Sequence, residues 1–200
     1  MGWELHIPNE SAVAVYKALM EAGKPHGLVN AGYRAIDSLS CEKGYRHWHA
    51  DVRPDDSPLE AGLAFTCKLK TSTNFLGREA IKKQKVRGIT KKLVTITVDD
   101  PLIPLWGLEG IWRDGKPVGY IRRADYAFAL GRSLGYGYVQ HPDKSIVTND
   151  FLKSGTWKIE SMGEYIDATV HIRPPFDPKN LRVKGLYEEL PKPGVAKALV

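Results

Sequence analysis

Glu4 is the first side chain whose setting suits a defined chemistry. It lies in Gly2-Trp3-Glu4-Leu5, where Trp3, Leu5 and Ile7 alternate with Glu4 and His6. That is the period of a half-buried strand, and it predicts a strand from Trp3 to Pro8. A carboxylate fixed on a strand can accept two parallel hydrogen bonds from a planar group that presents two N–H donors side by side. From spacing alone, an ordinary exposed strand glutamate is the commoner case.

A second concentration of chemistry runs from Asn30 to Leu69. Tyr45, His47, Trp48 and His49 are followed by Asp51-Val52-Arg53-Pro54-Asp55-Asp56-Ser57-Pro58. Two prolines and three aspartates within eight residues exclude a regular helix or a central strand, because proline lacks a donor and fixes its own backbone angle. A polar, aromatic loop between apolar segments is where a folded domain often places its site; the alternative is a solvated connector with aromatic anchoring. His47, His49 and Asp51 would share one face of a strand. Nothing else in the sequence converges on them as a fourth ligand with second-shell support, so no metal is assigned.

Other chemistries lack their signatures. Cys41 and Cys67 show no paired spacing and read as two free thiols in a reducing compartment. There is no Gly-x-Ser-x-Gly elbow and no phosphate-binding glycine loop. Gly135-Tyr136-Gly137 lacks the third glycine and the following helix of a dinucleotide fingerprint, so the chain carries no dinucleotide site of its own.

Phrases spread along nearly the whole chain resemble the aminomethyltransferase (glycine cleavage T-protein) family. They are Gly2-Trp3-Glu4-Leu5, Gly32-Tyr33-Arg34-Ala35, Ser38-Leu39, Glu42-Lys43-Gly44-Tyr45 and Asp56-Ser57-Pro58-Leu59-Glu60-Ala61-Gly62-Leu63. Later come Asp99-Asp100-Pro101-Leu102-Ile103-Pro104, Arg122-Arg123-Ala124-Asp125, Pro175-Phe176-Asp177-Pro178 and Arg182-Val183-Lys184-Gly185. Within the family the pattern is most similar to the folate-binding C-terminal part of the sarcosine dehydrogenases.

The resemblance carries several expectations. The cofactor of this region is tetrahydrofolate. Glu4 would accept the pterin ring N–H and exocyclic amine, and Phe65 stands where the family often has an aromatic that packs on the folate ring; a core phenylalanine is the alternative. The family's pterin-holding arginine precedes an Asp-Ser-Leu-like triplet, and here Ile36 precedes Asp37-Ser38-Leu39. No catalytic residue is assigned, because the family's catalytic aspartate lies upstream of the Gly-x-Glu strand. FAD would belong to an N-terminal domain of a longer parent, which is then the partner of this chain within one polypeptide. The location implied is the mitochondrial matrix. The chain by itself is expected to oxidise nothing and to transfer nothing.

The elements that must position these residues read as α+β. A helix is predicted from Ser11 to Ala22, capped by Asn9 and stopped by Gly23 and Pro25. Tyr33 to Ser40 fits either a strand or a short helix, and the family resemblance favours a strand. Leu63 to Leu69 alternates like a strand, and Leu76 to Lys85 reads as a helix introduced by Asn74. After Gly88 the texture becomes β. Leu93 to Val98, Glu109 to Trp112, Val118 to Ile121, Leu134 to Val139, Thr156 to Glu160 and Ile166 to Ile172 are short alternating runs separated by turns. Asp114-Gly115 suits a tight hairpin turn. The spacing points to a small barrel or sandwich, and the glycine-rich run from Gly115 to Val139 resembles the family's C-terminal antiparallel β-barrel. The expected organisation is therefore 1–88, the closing half of an α+β folate-binding lobe; 89–190, the barrel; and 191–200, a loose tail.

The chain has 200 residues and a net charge of +6, which favours anionic partners in general, including the carboxylates of a polyglutamylated folate tail. Seven basic residues lie within residues 78–92. Aromatics are not interleaved with them, so they read as a solvated helix face and linker and no nucleic acid partner is assigned. No apolar run approaches a membrane span. Two rival readings remain open: a regulatory or scaffold module that keeps the fold without turnover, and part of an enzyme acting on dimethylglycine.

Overall fold

Branched and aromatic residues alternate most regularly after Gly88, and that is where the sheet forms. The computed structural model describes residues 2–186. Its strands are β1 (Lys91–Val98), β2 (Gly110–Arg113), β3 (Lys116–Ala127), β4 (Arg132–Gln140), β5 (Trp157–Ser161) and β6 (Glu164–His171). They close in the order β1-β4-β3-β2-β5-β6, with every ladder antiparallel and β1 pairing with both β4 and β6. The expected small barrel is thus a barrel and not a sandwich. Closure leaves no sheet edge in need of cover.

The barrel interior is filled by Val94, Ile96 and Val98, by Ile111, Ile121 and Val139, and by Trp157 and Ile159. Phe151 and Leu152 on the short helix α4 (Asn149–Lys153) join the same cluster. Each fully buried side chain of this size contributes about 1.5–3 kcal/mol. The β2–β3 hairpin turns at Asp114 and Gly115, both left-handed at φ 50 and 75, as a primed turn requires. Gly137 is needed for clearance. A Cβ there would lie 2.5 Å from both the Ile111 side chain and the Tyr120 carbonyl oxygen.

A second cluster forms on the outside of the barrel, where Leu93, Leu134, Tyr136 and Tyr138 pack with Ala127 and with Cys41. Cys41 comes from α2 (Tyr33–Lys43), so this segment is a helix and the expected strand is not formed. The reason lies in which face is used. Ser38, Cys41 and Glu42 are buried against the barrel, whereas Ile36 and Leu39 are 51% and 59% exposed. Gly44, left-handed at φ 86, stops the helix, and a Cβ on it would collide with Pro174.

The remaining N-terminal elements depart further from the sequence expectation. Residues 3–8 form no strand among the described residues, and Trp3 is 87% exposed. Alternation supplies a strand's period, but a strand persists only where a neighbour takes its backbone hydrogen bonds. Leu63 to Leu69 is likewise not a strand; a 3-10 turn covers Ala64–Thr66. The first helix, α1, runs Ala12–Gly23 and continues through a 3-10 turn at Lys24–His26, so Gly27 rather than Gly23 is the left-handed stop. The third, α3, runs Arg78–Arg87 and starts after Gly77 rather than at Asn74. Neither α1 nor α3 contains a buried residue. Residues 191–200 lie outside the described residues.

Candidate functional site

The polar loop singled out above is built from the inside of its own turns. Ser57 and Glu60 form a reciprocal capping box: the Ser57 N–H donates to Glu60 Oε2 at 2.8 Å and the Glu60 N–H donates to Ser57 Oγ at 3.2 Å. This is the Ser-x-x-Glu pattern that opens a helical turn. Asp51 accepts from the His47 N–H at 2.8 Å, and Asp56 from the Arg53 N–H at 2.9 Å. Each aspartate closes a local turn and leaves its charge for something else.

That something is a pair of consecutive arginines on β3. Arg123 Nε donates to both carboxylate oxygens of Asp51 at 3.0 Å, and Arg123 Nη2 reaches Asp51 Oδ2 at 2.6 Å. Arg122 donates through Nη1 and Nη2 to the two oxygens of Asp56, and Lys91 on β1 donates to Asp56 Oδ1 at 2.7 Å. Successive residues of a strand normally point to opposite faces. Here the β3–β4 register shifts between Ile121 and Arg123. Such a bulge re-aims side chains, and both guanidiniums reach the same loop.

Both aspartate side chains are fully buried in this seam. Burial alone would raise the Asp56 pKa, but hydrogen bonds from Arg122 and Lys91 override it and hold the carboxyl down at about 2. Burial likewise opposes the charge on both arginines, and the paired aspartates more than restore it, so both are raised. Further bonds dock α2. Ser38 Oγ donates to the Tyr126 carbonyl at 2.7 Å, the Ala129 N–H donates to Glu42 Oε1 at 2.6 Å, and the Tyr136 hydroxyl donates to the Cys41 carbonyl at 2.6 Å. Burial raises Glu42, with the Ala129 and Leu130 amides and Arg182 partly opposing it. Burial pushes the Cys41 thiol up to about 12.

The residues picked from sequence as ligand contacts lie elsewhere. The Glu4 side chain is 83% exposed and faces His6 Nε2 at 3.2 Å. Phe65 is 82% exposed, so it is not a core residue. No hydrogen bond or ring contact joins the two among the described residues. Ile36 lies on the exposed side of α2. His47, His49 and Asp51 do not converge: His47 Nε2 faces Ser40 Oγ at 3.0 Å, while Asp51 is committed to Arg123. No group of three potential metal ligands occurs among the described residues, and no described helix is long and apolar enough to cross a membrane.

Arg122-Arg123 stand in the sequence as a family phrase with no role of their own. The available signal was the pair of aspartates in a proline-bounded loop, which need counter-charges once buried. Beside the seam, Tyr120, Arg122, Tyr138, His141 and Lys144 help to line a cleft of about 420 Å³.

The fold is that of the aminomethyltransferases. The crystal structure of glycine cleavage system aminomethyltransferase T from Bartonella henselae matches with a TM-score of 0.69 at 21% identity, covering 84% of this chain and 44% of that one. Two family models also match: the GCVT N-terminal domain over residues 1–71 and the glycine cleavage T-protein C-terminal barrel domain over residues 91–177. The chain belongs to the glycine cleavage T-protein family. It is 59% identical to the mitochondrial sarcosine dehydrogenase of Mus musculus over 94% of this chain and 20% of that protein. Identity to human mitochondrial dimethylglycine dehydrogenase is 37%, over 70% of this chain and 16% of that one. The mouse pyruvate dehydrogenase phosphatase regulatory subunit is 35% identical over 86% of this chain and 21% of its own length. The chain therefore spans about a fifth of the sarcosine dehydrogenase that it matches.

Proposed function

We propose that this chain is the tetrahydrofolate-binding portion of a sarcosine dehydrogenase-like flavoenzyme of the mitochondrial matrix. The observation that carries the reading is the 59% identity to sarcosine dehydrogenase over 94% of the chain, against 37% and 35% for the dimethylglycine and regulatory relatives. In this reading a flavin held elsewhere in the parent polypeptide supplies the two-electron oxidation of an N-methyl amine. The residues of this chain hold the folate that takes up the released one-carbon unit.

Glu4 and Phe65 are the proposed folate contacts. Their chemistry fits: an accessible carboxylate accepts a pair of N–H donors, and an accessible aromatic face can stack on a flat ring. The exposed apolar side chains Trp3, Leu5 and Ile36 are suited to cover such a ring once another segment closes over them. Ile36 would then give the pterin an apolar neighbour where the family has an arginine. The parent's organisation would follow the division at about residue 88, with the lobe before it and the barrel after it.

Titration of the chain with a reduced folate, followed by tryptophan fluorescence, tests this beside Glu4→Gln. Saturable binding is expected, weakened about tenfold or more by the loss of a charge-assisted contact. Equal affinity in wild type and Glu4→Gln would remove Glu4 from the site. The chain alone is also expected to leave sarcosine unoxidised, and measurable turnover by the pure chain would refute the assignment of the oxidation to another segment. The regulatory reading is favoured by one feature, the replacement of the family arginine by Ile36. It predicts no folate binding even within a longer polypeptide that includes a flavin-binding segment.

A further inference from the structure

We propose that the cleft between β3, β4 and the turn at residues 141–144 binds a small molecule bearing an oxyanion, a carboxylate or a phosphate, through Tyr138, Arg122 and Lys144. Its volume of about 420 Å³ falls within the usual range of small-ligand sites. The inference does not depend on the assignment of Glu4 to a pterin.

Three features of the wall support it. Tyr138 is 6% exposed, and its hydroxyl has no hydrogen-bond partner among the described residues. Burial pushes this phenol's pKa up, so the oxygen keeps its proton and remains a donor. Arg122, whose side chain is 7% exposed, uses Nη1 and Nη2 on Asp56 and the Asp51 carbonyl, and its buried Nε is left without an acceptor. The two groups are held together, with the Arg122 guanidinium 4.2 Å from the centre of the Tyr138 ring. Folded proteins seldom leave buried donors unpaired, and two such donors on residues that line one cleft, each itself closed to solvent, mark a place for an acceptor.

The third feature is charge. Lys144 lies at the mouth, exposed and left-handed at φ 63, with no ion-pair partner among the described residues. A lysine in that backbone region is uncommon, and here its ammonium is free to meet a ligand. Several carboxylates stand nearby, Glu60 among them, whose charge adds to burial and to the charge of Asp56 in raising the Tyr138 phenol. Asp56 is neutralised by Arg122 and Lys91, and Asp55 lines the cleft as an exposed side chain. His141 Nδ1 lies 2.5 Å from Asp143 Oδ1, a contact outside hydrogen-bond geometry that leaves this buried atom, too, without a hydrogen-bond partner among the described residues. What these lining residues hold is two unpaired donors, one neutral and one cationic, just below the surface, and an ammonium with no ion-pair partner among the described residues, the complement of an oxyanion.

The test is calorimetric titration of the whole chain at low ionic strength with two probes, inorganic phosphate and tetraglutamate, repeated on Tyr138→Phe and Lys144→Ala. One probe should saturate a single site, and which one identifies the source of the oxyanion. Tyr138→Phe should weaken binding about tenfold, and Lys144→Ala by a few-fold. Without probe, Tyr138→Phe should be at least as stable to urea as the wild type, because the hydroxyl it removes has no partner. Failure of both probes to saturate at roughly millimolar concentration, or unchanged affinity in both variants, overturns the proposal. So does a clear loss of stability in unliganded Tyr138→Phe, which would show that the hydroxyl is already bonded within the protein.

Discussion

Replacing Asp56 by asparagine removes the charge that fastens the polar loop to the barrel. The carboxyl is held from an ordinary 3.8 down to about 2, a difference that corresponds to roughly 2 kcal/mol of stability near neutral pH. The substitution also strands Arg122, whose side chain is only 7% exposed. Removing one partner of a buried pair typically costs about 3–5 kcal/mol. Asparagine keeps one oxygen as an acceptor, so the expected loss lies between these figures, at about 2–4 kcal/mol. Urea unfolding followed by tryptophan fluorescence reads it, since Trp157 is buried in the barrel. The pH dependence supplies a second check. Because the folded pKa is below the unfolded one, the stabilisation is complete above about pH 4 and is lost as pH falls through about 2. Wild type and variant should therefore converge across that window. Glu42 is raised by burial and contributes in the opposite sense, but it is common to both proteins and cancels in their difference. A variant within about 0.5 kcal/mol of wild type at neutral pH, or a gap that stays constant down to pH 2, would refute the argument.

The two neighbouring tyrosines of β4 should behave differently from each other. Tyr136→Phe removes a buried hydroxyl that donates to the Cys41 carbonyl at 2.6 Å and should lose about 1–3 kcal/mol in urea unfolding, in contrast to Tyr138→Phe; equal stabilities would contradict the hydrogen-bond assignment. The two cysteines should separate kinetically. An aromatic disulfide reagent at mildly alkaline pH is expected to label half-buried Cys67 in the folded chain and to spare Cys41, whose thiol is buried and pushed up to about 12; equal labelling rates before unfolding would count against the docking of α2.

The barrel was legible because its information is local. Each strand carries its own alternation, and Asp114-Gly115 its own turn chemistry, so six runs could be placed before any pairing was known. Tyr33 to Ser40 fits a strand or a short helix by sequence, and the strand favoured by the resemblance does not form because the face that docks is polar. Ser38, Cys41 and Glu42 become a buried surface only when β3 and the turn after it present the Tyr126 carbonyl and the Ala129 N–H to them. Residues 3–8 show the converse. Their alternation is clear, but without a paired neighbour it produces an extended, exposed segment. Phe65 was readable as an aromatic at a family position, while its 82% exposure depends on what packs around it.

By itself the sequence determined the family and the β character of the second half, because these reside in motifs and in short-range periodicity. Only the tertiary structure decided that Asp51 and Asp56 are held by Arg123 and Arg122, which lie 72 and 66 residues away along the chain. The decisive element is the bulge between Ile121 and Arg123. It sets aside the alternation rule that would have sent one of the two arginines to the opposite face. The unpaired donors on Tyr138 and Arg122 have the same origin. Whether a polar group finds a partner is a property of the folded neighbourhood, and no spacing along the chain records it.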